Sequence, residues 1–136
     1  MLVVCFTMAA ACVSSANADE EIRALLEKRA ETTGKLVEWA QAANRNGTIS
    51  SLELIGVIVQ DQRASLELAE TREERIAILE KVVDLLRQSE EIAELRSNPP
   101  PRPGQNNQFA GIGELLQAQA ALLQAQIDLA RETRAH

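Results

Sequence analysis

The sequence predicts an all-α protein: an elongated antiparallel helical hairpin or coiled coil of three helices, the middle one longest. Three observations lead to this prediction. Apolar residues recur at steps of three and four over most of the 136 residues, which places them on single helical faces. Aromatic residues make up only 2% of the chain, so small and aliphatic side chains suited to narrow helix–helix seams dominate. All four prolines fall within 99–103 and leave the rest free for long helices.

The charge pattern argues against nucleic acid as a partner. The net charge is −6, and Lys and Arg alternate with Asp and Glu instead of clustering. Nucleic-acid binding modules typically show a basic patch, often with aromatic residues that stack on bases. We therefore interpret the charges as solvated helix faces.

Residues 1–18 are predicted to be a signal peptide. They contain no charged residue, and Ala16-Asn17-Ala18 has the small-x-small pattern that precedes a cleavage site. The apolar run is shorter than the roughly 20 residues of a membrane span. The usual basic start is missing, so either the signal is atypical or the true start lies upstream. A short N-terminal anchor that stays attached is the alternative to cleavage. Export predicts a periplasmic or outer-membrane-associated protein.

Both cysteines, Cys5 and Cys12, lie in this segment. Lipidation at Cys12 is disfavoured, because the Leu usually found three residues earlier is absent. Cleavage after Ala18 would leave a mature chain without cysteine, and hence without disulfides or thiolate ligands.

The first helix is predicted over residues 19–46. Three acidic residues open it, where carboxylates favour the positive end of the helix dipole, and Asn and Gly at 44–47 end it. Trp39 is predicted to be a core anchor. Two neighbouring rows at helical spacing are candidates for the buried face. One is Ile22, Leu25, Leu36, Trp39, Ala43, with Arg29 and Thr32 in its gap; the other is Leu26, Ala30, Thr33, Val37, Ala40.

The middle helix is predicted over residues 50–95, about 45 residues and on the order of 65 Å long. Ser50 and Glu53 have the spacing of a capping box, and the short turn before them predicts an antiparallel neighbour, so that 19–96 forms one long hairpin. Its two apolar rows follow. The first is Leu52, Ile55, Val59, Gln62, Leu66, Ala69, Glu73, Ile76, Leu79, Val83, Leu86, Glu90, Ala93; the second is Leu54, Ile58, Leu68, Ile78, Val82, Leu85, Ile92, Leu95.

A break near Thr71 is the alternative to one continuous middle helix. Residues 70–75 are all polar, Thr71 and Glu74 have a second capping-box spacing, and two steps of three meet at Ile76. The absence of Pro and Gly from this run favours the continuous helix.

Residues 97–108 are predicted to be a proline-rich linker and 109–136 a third helix that folds back along the middle one. The third helix also has two candidate rows. They are Leu116, Ala120, Leu123, Ile127, Ala130 and Leu115, Ala118, Leu122, Ala125, Leu129.

The stretch 109–130, FAGIGELLQAQAALLQAQIDLA, resembles the helical repeat of TolC-type outer-membrane efflux proteins, in which a Gly-containing start precedes a Leu-rich, Ala/Gln-rich helix. Part of the pattern recurs in the middle segment at a fixed offset. The chain lacks the alternating strands of about 9–11 residues that a membrane barrel needs. We therefore expect a stand-alone helical piece, a divergent relative or a truncated gene product, not a complete channel.

No catalytic, cofactor-binding or metal-binding residue is predicted, and we expect neither an enzyme nor a small-molecule substrate. His136 is the sole histidine and is terminal. Asp84 and Asp128 are expected on solvated faces, and Gly111-x-Gly113 is too short for a nucleotide fingerprint.

The resemblance implies a non-enzymatic exported protein that acts in envelope transport. It would assemble with itself or with other envelope proteins through helical seams, which leaves membrane association open. The alternative is a soluble periplasmic interaction or scaffold protein with no transport role.

Overall fold

A computed structural model describes residues 10–97 and 110–135. This part of the chain is helical, with α1 at Ala10–Arg45, α2 at Ser51–Leu68, α3 at Arg72–Ser97 and α4 at Ala110–Arg134. The all-α prediction is confirmed. The prediction of three helices with the middle one longest is wrong, because the segment 50–95 divides into α2 and α3 and the longest helix is α1, with 36 residues.

The predicted signal peptide and the predicted linker are only partly covered by the described residues. The described part of α1 starts at Ala10, inside the predicted signal peptide 1–18. Cleavage of that segment stays a prediction. From Asn98 onward the predicted linker lies outside the described residues, as do Phe109 and His136.

The break between α2 and α3 is built by local hydrogen bonds. Helix α2 ends where Ala69 takes an extended backbone, with φ −65° and ψ 120°. The Thr71 hydroxyl accepts from the Glu74 N–H at 3.2 Å, and the Glu74 carboxylate accepts from the N–H groups of Thr71 at 3.2 Å and Glu70 at 3.0 Å. This capping box satisfies the backbone donors that open α3, so the chain turns here without Pro or Gly.

The turn between α1 and α2 follows the sequence prediction. Gly47 takes a positive φ of 73°, and Thr48 N–H donates to the Ala43 carbonyl at 2.8 Å. The capping box at the start of α2 is confirmed, because Glu53 N–H donates to Ser50 Oγ at 3.2 Å and Ser50 N–H donates to the Glu53 carboxylate at 2.7 Å. These bonds reverse the chain and set α2 antiparallel to α1.

Helices that follow one another in the chain pack together, and within the described ranges the backbone of α1 approaches only α2, while that of α4 approaches only α3. The result is an open row of four antiparallel helices. Ion pairs between neighbouring segments show which residues lie opposite one another. Arg29–Glu67 at 2.6 Å joins α1 to α2, and Arg23–Glu70 at 2.7 Å joins α1 to the turn that follows α2. Arg75–Glu132 at 2.7 Å and Arg96–Glu114 at 3.8 Å join α3 to α4.

The main apolar core joins α2, α3 and α4. Its buried members are Ile55, Val59, Val82, Val83, Leu86, Leu122 and Ala125. Helix α1 adds a narrower seam along α2, in which Ala40 is fully buried and the Thr33 hydroxyl donates to the Asp61 carboxylate at 2.8 Å. The two end helices of the row are thus covered on one side.

Candidate interaction surface

The outer face of α1 carries large apolar side chains that are 36–61% exposed among the described residues, whereas Ala43, which the sequence places in the same row, is buried. We call Ile22, Leu25, Leu36 and Trp39 the α1 row. Trp39 is 58% exposed and Leu25 61% exposed, so the prediction that Trp39 anchors the core is wrong. The physical reason is that α1 has one neighbour, α2, and buries against it the other row, through Thr33 and Ala40.

Helix α4 repeats this arrangement at the opposite end of the four-helix row. Of its inner row, Leu122, Ala125 and Leu129 pack into the core formed with α2 and α3, and Ala118 is also buried. We call Ile112, Leu116, Leu123 and Ile127 the α4 row; Leu116 is 60% exposed and Leu123 is 58% exposed. Consecutive residues of a helix are turned by about 100°, so Leu122 can be buried while Leu123 faces outward.

Gly111 lets α4 approach α3 closely. A Cβ at Gly111 would lie 2.6 Å from Ser97 Cα and 2.9 Å from its backbone N, whereas a Cβ at Gly113 would meet no atom within 4 Å. Gly111, Ala118 and Ala125 follow one another at intervals of seven residues. Small residues at this spacing mark the packed face of α4, and this signal was available in the sequence.

Helix caps and surface ion pairs shift the pKa values of several side chains. The pKa of Glu53 is lowered by the backbone N–H of Ser50, that of Glu74 by the backbone N–H of Thr71, and that of Glu31 by a hydrogen bond from Lys35. The pKa of Arg23 is raised by its hydrogen bond to Glu70. Each of these shifts favours the charged form, whereas a general acid near neutral pH needs a carboxyl group whose pKa is raised.

The carboxylates singled out in the sequence lie apart and face solvent. Asp84 is held by Arg87 at 2.9 Å and its side chain is 68% exposed. Asp128 accepts from Gln124 at 2.9 Å and its side chain is 42% exposed. The structure brings neither of them to a shared site.

Two open clefts lie between the helices. One, of about 350 Å³, lies between α1 and α2, and its lining includes the Arg29–Glu67 ion pair. The other, of about 330 Å³, lies where α2, α3 and α4 meet, beside Leu52, Leu86 and Ala118. Neither a histidine nor a cysteine is among the residues that line these two clefts.

Within 10–97 and 110–135, the structure holds no group of three or more His, Cys, Asp and Glu side chains arranged to bind a metal ion. Over the same ranges, no helix combines the length and the apolar character that crossing a membrane requires. Among the described residues, the α1 and α4 rows are the candidates for a functional surface because their large apolar side chains are exposed at helical spacing.

Comparisons with protein-family models, with curated proteins and with solved structures find no match to this chain. The resemblance of 109–130 to TolC-type proteins stays a prediction.

Proposed function

We propose that this protein works without catalysis, as a helical interaction module that binds partner helices through the α1 and α4 rows. One observation carries the proposal: on both outer helices one apolar row is packed while the neighbouring row is left to solvent. Scattered exposed apolar residues are ordinary on protein surfaces, but rows at helical spacing are the pattern a partner helix recognises.

The energetics of such binding are favourable but modest. Burying a whole Leu or Ile side chain contributes about 1.5–3 kcal/mol, so the exposed half of each row residue offers on the order of 1 kcal/mol. The four residues of a row together offer on the order of 4 kcal/mol, and the side chains that the partner buries add to this. Association itself costs about 4–15 kcal/mol, so we expect a weak contact whose affinity depends on packing quality.

We place this module in the cell envelope because of the uncharged segment 1–18. Both roles predicted from the sequence, a component of envelope transport and a periplasmic scaffold, would use the same rows. The transport role rests on the resemblance of 109–130 alone.

Site-specific photo-crosslinking in cells tests the proposal. A photoreactive amino acid replaces Trp39 or Leu116, with Glu38 and Gln117 as matched controls that are exposed on the same helices and turned away by about 100°. We expect discrete adducts from the two row positions and none from the controls. The same adducts at all four positions, or none at the row positions, would contradict the proposal.

A further inference from the structure

We infer that the α4 row is the contact between two copies of this chain, which pair through α4 in an antiparallel arrangement about a two-fold axis. This inference rests on the proposed function and names the partner for one of its two surfaces.

The first argument is the charge of the face. Residues 115–127 carry no charged side chain, and the carboxylates that border them already have partners: Glu114 pairs with Arg96 at 3.8 Å, and Asp128 accepts from Gln124. Such a face loses its water without burying an ion, and it suits a partner that is equally uncharged. A second α4 meets this condition. The α1 row fits less well, because Arg29 interrupts it and Lys28 and Lys35 lie beside it.

The second argument is the spacing of the outer residues. Leu116, Ala120, Leu123 and Ile127 follow at steps of four, three and four, which read the same in either direction. An antiparallel copy therefore places Leu116 opposite Ile127 of its partner and Ala120 opposite Leu123. Large residues then face small ones at the centre, as interdigitated helix packing requires.

The third argument selects the direction. Arg131 and Arg134 end the α4 helix, beyond its row. Parallel pairing would set these guanidinium groups beside their own copies, and like charges at that distance repel. Antiparallel pairing separates each from its copy by on the order of 28 Å along the axis, well beyond the screening length at physiological salt. The helix dipoles then also oppose one another.

The size of the face sets the strength of pairing. From Leu116 to Ile127 the row is only about 16 Å long, so the interface falls in the small class and should dissociate on dilution. Gln119 and Gln126 flank the row on one side and provide hydrogen-bonding groups at its rim.

Sedimentation of the full chain over a wide concentration range tests the pairing. We expect the mass to rise from monomer to dimer, and we expect a Leu116→Gln, Leu123→Gln variant to stay monomeric with unchanged helicity. The control Leu25→Gln, on the α1 row, should dimerise like the parent chain. A parent chain that is monomeric throughout overturns the inference, and so does dimerisation that Leu25→Gln abolishes and the α4 variant retains.

Charge substitutions test the antiparallel direction. On the flank of an antiparallel pair, position 119 of one copy faces position 126 of the other. Gln119→Lys with Gln126→Glu should dimerise at least as tightly as the parent chain, and more weakly as salt is added. Gln119→Lys with Gln126→Lys should weaken dimerisation at least several-fold. Equal behaviour of the two variants overturns the pairing. If crosslinks from Leu116 to other proteins persist while the chain stays monomeric, the proposed function stands and the self-pairing fails.

Discussion

Gly111 and Ser97 are in close contact where α3 ends and α4 begins, so that a Cβ on Gly111 would lie 2.6 Å from Ser97 Cα. The backbone of Ser97 cannot yield without moving the end of α3. A glycine in a helix costs up to about 1 kcal/mol relative to Ala. The close contact explains why a glycine nevertheless stands in the first turn of α4.

Gly111→Ala should therefore destabilise the protein by roughly 1–3 kcal/mol, the usual cost of overpacking. Gly113→Ala is the matched control: its Cβ enters open space, and the gain in helix propensity should stabilise by up to about 1 kcal/mol. Urea unfolding followed by circular dichroism measures both. We expect the free energy of unfolding to fall in Gly111→Ala and to rise in Gly113→Ala. Equal changes in the two variants would show that the close contact is absent in solution.

Thr71→Ala should lower the free energy of unfolding by about 1 kcal/mol, because Glu74 N–H loses its acceptor at the start of α3. Thr71→Ser keeps the hydroxyl and should fall within a few tenths of a kcal/mol of the parent chain. Equal stability of the Ala and Ser variants would argue for an uninterrupted helix through this position.

Stability should fall in acid. The pKa values of Glu31, Glu53 and Glu74 lie below the ordinary value of 4.5, so their carboxylates are better stabilised in the folded than in the unfolded chain. A lowered folded-state pKa adds stability above the unfolded value, and this is lost as pH falls through the folded one. The midpoint temperature of thermal unfolding should therefore decrease as the pH is lowered below 4.5.

The matched variant for this pH effect is Glu53→Gln with Glu74→Gln. Glutamine accepts the same backbone hydrogen bonds at this position of a capping box but does not titrate. The double variant should thus show a flatter pH dependence in acid than the parent chain. An unchanged slope would mean that these two caps do not contribute to acid sensitivity.

Trp39 should report as an exposed indole. It is the sole tryptophan and is 58% exposed, so we expect red-shifted emission and ready quenching by acrylamide in the isolated chain. The urea-unfolded chain provides the reference. A blue-shifted, protected signal at low protein concentration would place Trp39 in a core and contradict its position on the α1 row.

Much of this fold could be predicted from the sequence, because local patterns determine its helices and caps. Helical periodicity located both rows of α1 and of α4, and the capping box of Ser50 and Glu53 formed as predicted. The Thr71 cap was also visible as the alternative. It prevailed because the Glu74 carboxylate accepts from the N–H groups of Glu70 and Thr71, and these hydrogen bonds close the turn without a helix breaker.

The choice of the buried row was not readable in the same way. Periodicity places Leu122 and Leu123 on two adjacent apolar rows, but only the position of α3 decides which is covered. Trp39 was misassigned for this reason: ring size favours burial, whereas α1 has one neighbour and presents it with Thr33 and Ala40. The number of helices packed against α1 and α4 therefore decides which apolar row of each stays exposed.

The pair Leu122 and Leu123 tests the central claim most directly, because adjacent leucines are assigned opposite roles. Leu122 is 7% exposed, and Leu122→Ala should cost about 2–5 kcal/mol of stability. Leu123→Gln should leave stability within about 0.5 kcal/mol, as exposed substitutions do, and abolish concentration-dependent dimerisation measured by sedimentation. If Leu123→Gln unfolds the protein, Leu123 belongs to the core and the α4 row is not an interaction surface; if the variant dimerises like the parent chain, the α4 row is not the contact between two copies.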